Sequence, residues 1–405
     1  MVRTDSGRSV LCAPFDLRRV FFTGPFYIMT IVSPQLGVSP TATTGGETYD
    51  REVLKHLGKL GASVEILVPK GSSMPVDTHN WHVDYAPIAH FVPPYAFNVF
   101  VFPWILRFLH ESRITSHESP ILRLHSPEYL FPTGYLIKKI FPLIPIVAHY
   151  HLDQTGWLWT RMNRILLNMV DAVVADSEFL KRKLVERVGI SEDKIHIIYC
   201  GVDVHSIRPK ADKGRSLRTQ RPSFKTVLFL GRFIERKRPE FAIEVFARLH
   251  RKHPDTKLIM IGEGPMEPNL KSQISNLKLV DAVELPGPLF GEEKLKQYHE
   301  ADLFLFPSAK EGFVLVVLEA MAAGLPMLVP NAMGFPEAVE DGKNGFLADP
   351  NSVDDWVTKA EKILFSSLVQ RQFRKRSREI AVKEFSWEQC ARKNLTIYRE
   401  LLKSR

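Results

Sequence analysis

Short apolar runs alternate with amphipathic segments along most of the chain. The run at 26–34 (FYIMTIVSP) ends at Ser-Pro, the segment at 45–61 carries apolar residues at helical spacing, and an apolar run returns at 62–69. Apolar runs of this length, bounded by turn residues, are typical of buried strands. Their alternation with helical patterns predicts a parallel sheet covered by helices on both faces.

The same alternation continues toward the end of the chain and is interrupted once. The polar and basic stretch at 208–225 breaks it and is the predicted linker. We predict an extension at 1–25, a first α/β domain at 26–207 and a second at 208–385, with the ligand cleft between the carboxyl ends of the two sheets. Two domains also suit a length of 405 residues, which exceeds what one core usually fills. The further strand-like runs are 144–151, 171–177, 194–201, 226–231, 257–262, 282–287 and 302–308, and helical patterns cover 178–189 and 239–253.

Composition indicates an ordinary globular protein with a positive charge. Hydrophobic residues make up 45% and charged residues 24%, and the formal net charge is +9. That charge attracts polyanions such as nucleic acid, anionic lipid or phosphorylated small molecules, without choosing among them. The three cysteines, Cys12, Cys200 and Cys390, are far apart and odd in number. They suit a reducing compartment and contain no Cys-x-x-Cys metal spacing.

Neither a membrane span nor a secretory signal is predicted. The most apolar stretch, 95–109, is interrupted by Asn98, Pro103 and Arg107, and it is shorter than the roughly 18 to 20 residues that a span needs. We predict a buried helix or an interfacial patch there. Residues 1–25 lack the long apolar segment of a secretory signal. We therefore expect a cytoplasmic location.

Two glutamates separated by seven residues stand out in the segment KEGFVLVVLEAMAAGLP at 310–326. Glu311 lies at the predicted junction between the strand at 302–308 and a helix that starts near Val314. The backbone N–H groups of Gly312 and Phe313 are then at a helix N-terminus, which favours anions. Glu319 lies in an apolar helix, so it needs a partner such as ribose hydroxyls. The alternative for Glu319 is a solvent-exposed helical glutamate.

Further candidates for anion binding follow the first strand of each half. Arg232 and Lys237 lie in GRFIERKRP, after the strand at 226–231, where two cations clamp a diphosphate without a metal. The alternative is a solvated basic turn. Gly45 and Gly46 open the first long helix, where the backbone can approach a phosphate closely. The chain has no Asp-x-Asp frame, which argues against a divalent metal at the diphosphate.

Three histidines follow strands of the first half. His125 lies in RLHSPEYL, and His149 and His151 lie in VAHYHLDQTG. His149 and His151 project to the same strand face, so at least one is expected to face the cleft. For His151, a hydrogen-bonding or acid–base role and a structural role are both open.

A basic run near the C-terminus places Arg371, Arg374, Lys375 and Arg378 on one helical face. Two interpretations are open for it. One is a solvated helix face, and the other is attachment to anionic lipid at a membrane surface.

In combination, these segments resemble the retaining nucleotide-sugar glycosyltransferases of family 4. The resemblance covers about residues 27–400 and rests on VVADSEFLKRKL, YCGVDVHSIRP, GRFIERKRP and EGFVLVVLEAMAAGLP, in this order along the chain. It implies the GT-B fold, an α/β architecture of two Rossmann-like domains facing a cleft. It also implies that the C-terminal helix at 386–405 crosses back onto the first domain.

The resemblance also implies roles for individual residues. Arg232 and Lys237 bind the donor diphosphate, Glu319 holds the ribose, and Glu311 and His151 contact the transferred sugar. Gly45 and Gly46 meet the phosphate from the first domain, and the backbone at Leu289 reads the base. The implied donor is a UDP- or GDP-linked sugar, with no separate cofactor, metal or nucleic acid. The implied acceptor is a glycan, a lipid or a small molecule.

The sequence departs from the family pattern beside the first glutamate. Val314 and Val316 stand where glycine and proline are common, and a positive φ at residue 314 would strain a valine.

Two competing functions remain at the level of sequence. The first is an oxidoreductase or epimerase that uses a dinucleotide. The segment GEGP at 262–265 argues against it, because Glu267 takes the place of the third glycine in the dinucleotide fingerprint. The second is a non-catalytic sugar-nucleotide-binding partner of another transferase.

Overall fold

The computed structural model describes residues 29–40, 45–89, 94–115, 120–125, 127, 129–151, 156–209 and 224–404. The predicted extension at 1–25 and most of the predicted linker at 208–225 lie outside these ranges. The predicted domain boundaries at those two segments therefore stay predictions.

The first half contains a seven-stranded parallel sheet with the order β3-β2-β1-β4-β5-β6-β7. The strands are β1 (Thr30–Pro34), β2 (Ser63–Lys70), β3 (Trp81–Ala89), β4 (Ile121–His125), β5 (Ile146–Tyr150), β6 (Ala172–Ala175) and β7 (Ile195–Ile197). The helices are α1 (Gly45–Lys59), α2 (Asn98–Thr115), α3 (Phe131–Ile140), α4 (Trp157–Met169) and α5 (Glu178–Lys183), and α5 continues as a π-helical turn at Leu184–Val188.

Helices cover both faces of this sheet. Successive strand residues point to opposite sides, so neighbouring residues of one strand pack against different helices. Ile31 of β1 packs in the same cluster as Tyr49 and Val53 of α1. Its neighbour Val32 packs in a separate cluster with Val101 of α2 and side chains of α3, α4 and α5. Strands buried on both faces are apolar almost throughout, as the sequence pattern predicted.

The second half contains a six-stranded parallel sheet with the order β10-β9-β8-β11-β12-β13. The strands are β8 (Lys225–Leu230), β9 (Thr256–Ile261), β10 (Val283–Gly287), β11 (Leu303–Leu305), β12 (Met327–Pro330) and β13 (Gly345–Ala348). The helices are α6 (Pro239–Lys252), α7 (Glu267–Asn276), α8 (Gly291–Glu300), α9 (Leu315–Ala322), α10 (Phe335–Ala338), α11 (Val353–Leu364) and α12 (Ser367–Glu384).

The last helix, α13 (Trp387–Lys403), returns to the first half. The Ser386 side chain caps it by accepting a hydrogen bond from the backbone N–H of Gln389 at 3.2 Å. The Tyr398 hydroxyl lies 3.0 Å from Nε2 of His149 in β5, and α13 packs against α1. The predicted closing helix and the predicted α/β architecture with two parallel sheets are both confirmed.

The apolar stretch at 95–109 forms most of α2, with one face buried. Val101, Ile105 and Leu109 pack into the core, whereas Val99 is 70% exposed. Among the described residues, no helix has the length and apolar character that crossing a membrane requires.

Two of the four residues of the basic run of α12, Arg374 and Arg378, are bound by neighbouring segments, so the run is not a continuous free cationic face. Arg378 donates hydrogen bonds to the backbone carbonyls of Val204, Ile207 and Ala322 at 2.7 to 2.8 Å. Arg374 donates to the carbonyl of Ala301 at 2.7 Å. These two guanidinium groups join α12 to neighbouring segments, whereas Arg371 and Lys375 are exposed. Contact of the run with a membrane stays a prediction.

Candidate functional site

The candidate site lies where the strand order reverses in each sheet. In the first sheet the reversal falls between β1 and β4, and in the second between β8 and β11. Ligands of such folds bind at the carboxyl ends of strands beside this reversal. Gly45, Arg232 and Glu311 follow β1, β8 and β11 along the chain, and His125 is the last residue of β4.

A cavity of about 880 Å³ separates these two groups of loops. This volume is within the range of small-molecule sites. The cavity is lined by every residue that the sequence placed in the site: Gly45, Gly46, His151, Arg232, Lys237, Leu289, Glu311, Gly312, Phe313 and Glu319. The structure therefore brings the predicted residues together, and their individual roles stay predictions.

Glu311 is paired within the protein. Its side chain is 8% exposed, and it forms ion pairs with Lys237 and with Arg236, whose Nη1 lies 2.9 Å from Oε1. The Ser308 hydroxyl donates to the same carboxylate at 2.6 Å. Burial lowers the pKa of Lys237, and the Glu311 charge partly opposes this effect. Arg236, a partner of Glu311, was not among the predicted site residues.

Arg232 supplies a second cation at the cavity wall. Its side chain is exposed, and within the described part of the chain its guanidinium group forms no hydrogen bond or ion pair. The Arg232 charge contributes to lowering the pKa of Lys237, so the two cations act on each other electrostatically. An anion placed between them would relieve this repulsion.

Glu319 already has two protein partners, contrary to the expectation that ribose hydroxyls must satisfy it. Lys294 Nζ lies 2.9 Å from Oε1, and the Tyr298 hydroxyl donates to Oε2 at 2.8 Å. Both partners come from α8. Burial, followed by the Glu319 charge, raises the pKa of Tyr298 well above its ordinary value. Glu319 and Lys294 still line the cavity.

The segment between the two glutamates has no backbone strain at residue 314. The φ of Val314 is −124°, and this residue is the N-cap of α9, which begins at Leu315. Gly312 and Phe313 therefore lie in the loop just before the helix, slightly earlier than predicted. A Cβ at Gly312 would lie 2.4 Å from the carbonyl oxygen of His151, so glycine here permits close approach of the two halves.

Glu337 of α10 joins the second half to the first. Its carboxylate accepts hydrogen bonds from the backbone N–H groups of Glu178 at 2.7 Å and Phe179 at 2.9 Å. These N–H groups are at the start of α5, where a negative charge is favourable. Nothing in the sequence pattern predicted this contact, because the partners are backbone groups far away along the chain.

The histidines of β5 differ in their surroundings. His149 is fully buried, with Nδ1 3.2 Å from the Tyr49 hydroxyl, and it is structural. His151 follows the strand and lines the cavity, with Nδ1 3.3 Å from Asp176 Oδ2. Burial lowers the pKa of His151, and the Asp176 hydrogen bond partly opposes this effect. Burial also raises the pKa of Asp176.

His125 lies beside His151 and belongs to a buried charged cluster. The two imidazole rings are stacked with centroids 4.9 Å apart. His125 Nδ1 lies 3.1 Å from Asp50 Oδ2, and Asp50 Oδ1 lies 2.5 Å from Nη1 of Arg123, which is fully buried. Burial alone would raise the pKa of Asp50, but Arg123 and His125 outweigh it and lower the value. The sequence pattern did not reveal Asp50 or Arg123.

The two glycines of GEGP allow the loop after β9 to pack closely against the loop after β8. Gly262 and Gly264 have φ angles of 144° and 159°. A Cβ on either residue would lie 2.1 to 2.4 Å from a backbone oxygen of Gly231 or Phe233. Glycine is required here by these contacts between the loops after β8 and β9, which supports the case against a dinucleotide fingerprint.

Comparison with protein families agrees with this architecture. Residues 43–206 match the family model described as Glycosyltransferase Family 4, and residues 217–380 match the model described as Glycosyl transferases group 1. The chain belongs to glycosyltransferase family 4. The two matches follow each other along the chain and correspond to its two sheets.

Curated relatives of this family 4 chain carry names of sugar transferases. A D-inositol 3-phosphate glycosyltransferase of Paenarthrobacter aurescens is 32% identical over 233 residues, which is 56% of this chain. A sulfoquinovosyl transferase of Arabidopsis thaliana is 27% identical over 301 residues, which is 70% of this chain. In each case the alignment spans 57% of the length of the relative.

Solved structures confirm the GT-B fold. A sucrose-phosphate synthase of Thermosynechococcus elongatus superposes with a TM-score of 0.75 at 20% identity, covering 93% of this chain and 100% of that one. HepE of Anabaena, solved in complex with UDP and glucose, has a TM-score of 0.72 at 19% identity with the same coverage.

Proposed function

We propose that this family 4 chain transfers a hexosyl group from a nucleoside-diphosphate sugar to an acceptor hydroxyl, with retention of anomeric configuration and without a metal. The proposal depends chiefly on one observation. Glu311, Glu319, Lys237 and Arg232, from two separate segments of the second half, line one cavity opposite Gly45, Gly46 and His151 of the first half.

The diphosphate is the leaving group in this proposal, and its binding follows from charge. When the bond between the anomeric carbon and the diphosphate oxygen breaks, the electron pair stays on the diphosphate. Arg232, which is exposed at the cavity, and Lys237, which is buried beside Glu311, supply the compensating positive charge. These two cations perform the task that a divalent metal performs in other transferases.

Glu311 has a different task, because its carboxylate lies at the end of the loop that faces the first half. A carboxylate next to the sugar stabilises positive charge that develops at the anomeric carbon. Arg236, Lys237 and Ser308 hold it in one position before donor arrives, so little reorganisation is needed in the transition state. Retention is inferred from the family resemblance of the Glu-x7-Glu segment.

The remaining contacts concern the ribose and the base of the donor. Glu319, oriented by Lys294 and Tyr298, keeps carboxylate lone pairs for ribose hydroxyls, and the backbone near Leu289 meets the base. HepE, solved with UDP-glucose, makes UDP sugars the first donors to test, followed by GDP sugars. The acceptor is a hydroxyl of a glycan, lipid or small molecule that enters from the first half.

A panel of nucleotides and nucleotide sugars, screened by thermal shift in the presence of chelator, tests this proposal. A ligand that binds only the folded protein raises the melting temperature. We expect at least one UDP or GDP sugar to raise it in wild type and to raise it less in Lys237→Ala. A dinucleotide-dependent oxidoreductase would instead respond to nicotinamide cofactors. A non-catalytic partner would bind a nucleotide sugar but never consume it.

A further inference from the structure

Three metal-ligating side chains lie together on the first-half wall of the cleft. His151, Asp176 and Cys200 follow β5, β6 and β7 along the chain, and these strands are neighbours in the sheet. The carboxyl ends of parallel strands meet at one edge of a sheet. One candidate ligand atom from each residue lies within 4.8 Å of the other two.

The surroundings of these atoms leave capacity for a ligand. Asp176 is 1% exposed and Cys200 is 4% exposed. Nε2 of His151 is buried and has no hydrogen-bond partner among the described residues. Cys200 is a free cysteine. Nδ1 of His151 lies 3.3 Å from Oδ2 of Asp176. This hydrogen bond must open if both atoms bind one ion, whereas Nε2 is available without such a change.

The donor set identifies the chemical class of the ion. An imidazole nitrogen, a thiolate sulfur and a carboxylate oxygen are ligands of Zn²⁺, whereas Mg²⁺ and Mn²⁺ favour sites built from oxygen. We propose that His151, Asp176 and Cys200 bind Zn²⁺, with the fourth position open to the cleft. Three protein ligands and one open position are a known arrangement for this ion.

Occupation of this site has a consequence for transfer, and this part of the inference depends on the proposed function. A Zn²⁺ ion would engage the imidazole of His151, which is proposed to contact the transferred sugar. The ion would also place a positive charge where the anomeric carbon becomes electron-poor, which opposes the departure of the diphosphate. Zn²⁺ is therefore an inhibitor of transfer in this account, and the metal-free chain is the active form.

Cobalt binding tests the site without any nucleotide sugar. Co²⁺ replaces Zn²⁺ in such sites, and a bound thiolate gives a charge-transfer band in the near ultraviolet. We expect the full chain, stripped of metal by chelator and then dialysed, to develop this band with Co²⁺ and to lose it when Zn²⁺ is added. We also expect Zn²⁺ to raise the melting temperature.

Cys200→Ala should abolish the band and weaken Zn²⁺ binding by more than the about 10- to 100-fold that loss of an outer-shell partner costs. Asp176→Asn should weaken Zn²⁺ binding while keeping the thiolate. Cys390→Ala is the matched control, since Cys390 is the other buried free cysteine of the described residues, and it should bind like wild type. Circular dichroism shows that each variant is folded.

Absence of the cobalt band in wild type, or equal Zn²⁺ affinity in wild type and Cys200→Ala, would overturn the metal site. Inhibition of transfer is measured separately, as a fraction of the metal-free rate of each variant. Binding with no inhibition would retain the site but remove its regulatory consequence. Because binding is measured without donor, failure of the metal site and failure of the proposed transferase function give different results.

Discussion

The Lys237 ammonium group is paired with the Glu311 carboxylate inside the cleft, where their side chains are 12% and 8% exposed. A buried pair of this kind couples two proposed functions, because the residue assigned to the diphosphate also positions the residue assigned to the sugar. Removing either partner leaves the other charge buried, which is costly. Substitutions at these two positions are therefore expected to have linked effects.

Arg232→Ala and Lys237→Ala are expected to weaken nucleoside-diphosphate binding by different routes. A hydrogen bond to a charged group contributes about 1.5–3 kcal/mol, so each substitution should raise the dissociation constant by about 10- to 100-fold. Only Lys237→Ala should also lower the melting temperature of the free protein, because it removes an ion-pair partner of the buried Glu311 carboxylate. Arg232 has no ion-pair partner among the described residues. Calorimetry with UDP and GDP gives the affinities.

Arg251→Ala, at an exposed position on α6, is the control for the loss of one positive charge. It should change neither the affinity nor the melting temperature. Unaltered nucleotide affinity in both Arg232→Ala and Lys237→Ala would exclude the proposed diphosphate clamp.

Changing Glu319 or Glu311 to glutamine should affect different kinetic parameters. Glu319→Gln weakens the proposed contact to ribose, which would be made in both ground and transition states, so it should chiefly raise the KM for donor. Glu311→Gln removes the charge that is proposed to lie beside the anomeric carbon, so it should lower kcat more than it changes donor affinity. Steady-state kinetics separates the two. Purely KM-type defects in both variants would show that Glu311 only binds donor.

Glu337→Ala should loosen the contact between the two halves near the cleft. The backbone N–H groups of Glu178 and Phe179 lose their acceptor, so their hydrogen exchange should become faster. Exchange is measured by mass spectrometry or NMR. Glu340→Ala is the control, because that carboxylate pairs with Arg376 within the second half. Equal protection of Glu178 and Phe179 in wild type and Glu337→Ala would mean that the contact does not form in solution.

Asp50→Asn should be strongly destabilising, because it leaves the guanidinium group of Arg123 buried without its charge partner. Breaking a buried pair in this way costs about 3–5 kcal/mol. Denaturant unfolding measures the loss, and the double variant Asp50→Asn, Arg123→Met should recover part of it. If the double variant is no more stable than Asp50→Asn alone, the buried charge is not the cause.

The pH dependence of the same pair has a defined sign. The pKa of Asp50 is lowered from its ordinary value of 3.8, so the folded state favours the ionised carboxyl. Its stabilising contribution is present above the ordinary pKa and is lost as the pH falls through the lowered value. The difference in stability between wild type and Asp50→Asn should therefore shrink at acid pH. A difference that grows below pH 3.8 would contradict the pKa direction.

Strands with a continuous apolar run could be predicted from sequence, and strands whose run is short or contains a charged residue could not. Apolar runs such as β8 and β9 follow directly from periodicity. Strand β4 contains Arg123, which periodicity treats as polar, and its burial depends on Asp50 from another segment. Strand β13 begins at a glycine, and its apolar run is only Phe-Leu-Ala, which is too short to stand out as a strand. These missed elements owe their conformation to tertiary partners rather than to local pattern.

The family motifs predicted which residues line the cavity, and they did not predict the electrostatic partners of those residues. The sequence placed Glu319 in an apolar helix without Lys294 and Tyr298, because those side chains come from α8. Helical periodicity also grouped Arg374 and Arg378 on a solvated face, since backbone carbonyl partners leave no sequence signature. A side-chain pattern identifies which residues share a face, and it does not identify what covers that face.

The measurement that tests the central claim most directly is donor consumption followed by proton NMR, with chelator present and with the responsive UDP or GDP sugar from the thermal-shift panel. The account predicts that wild type consumes the donor and releases nucleoside diphosphate. It also predicts that the sugar is transferred with the anomeric configuration that it had in the donor, while Glu311→Gln binds the donor but consumes it far more slowly. Consumption that requires added magnesium or manganese, a product of inverted configuration, or an equal rate in Glu311→Gln would contradict it.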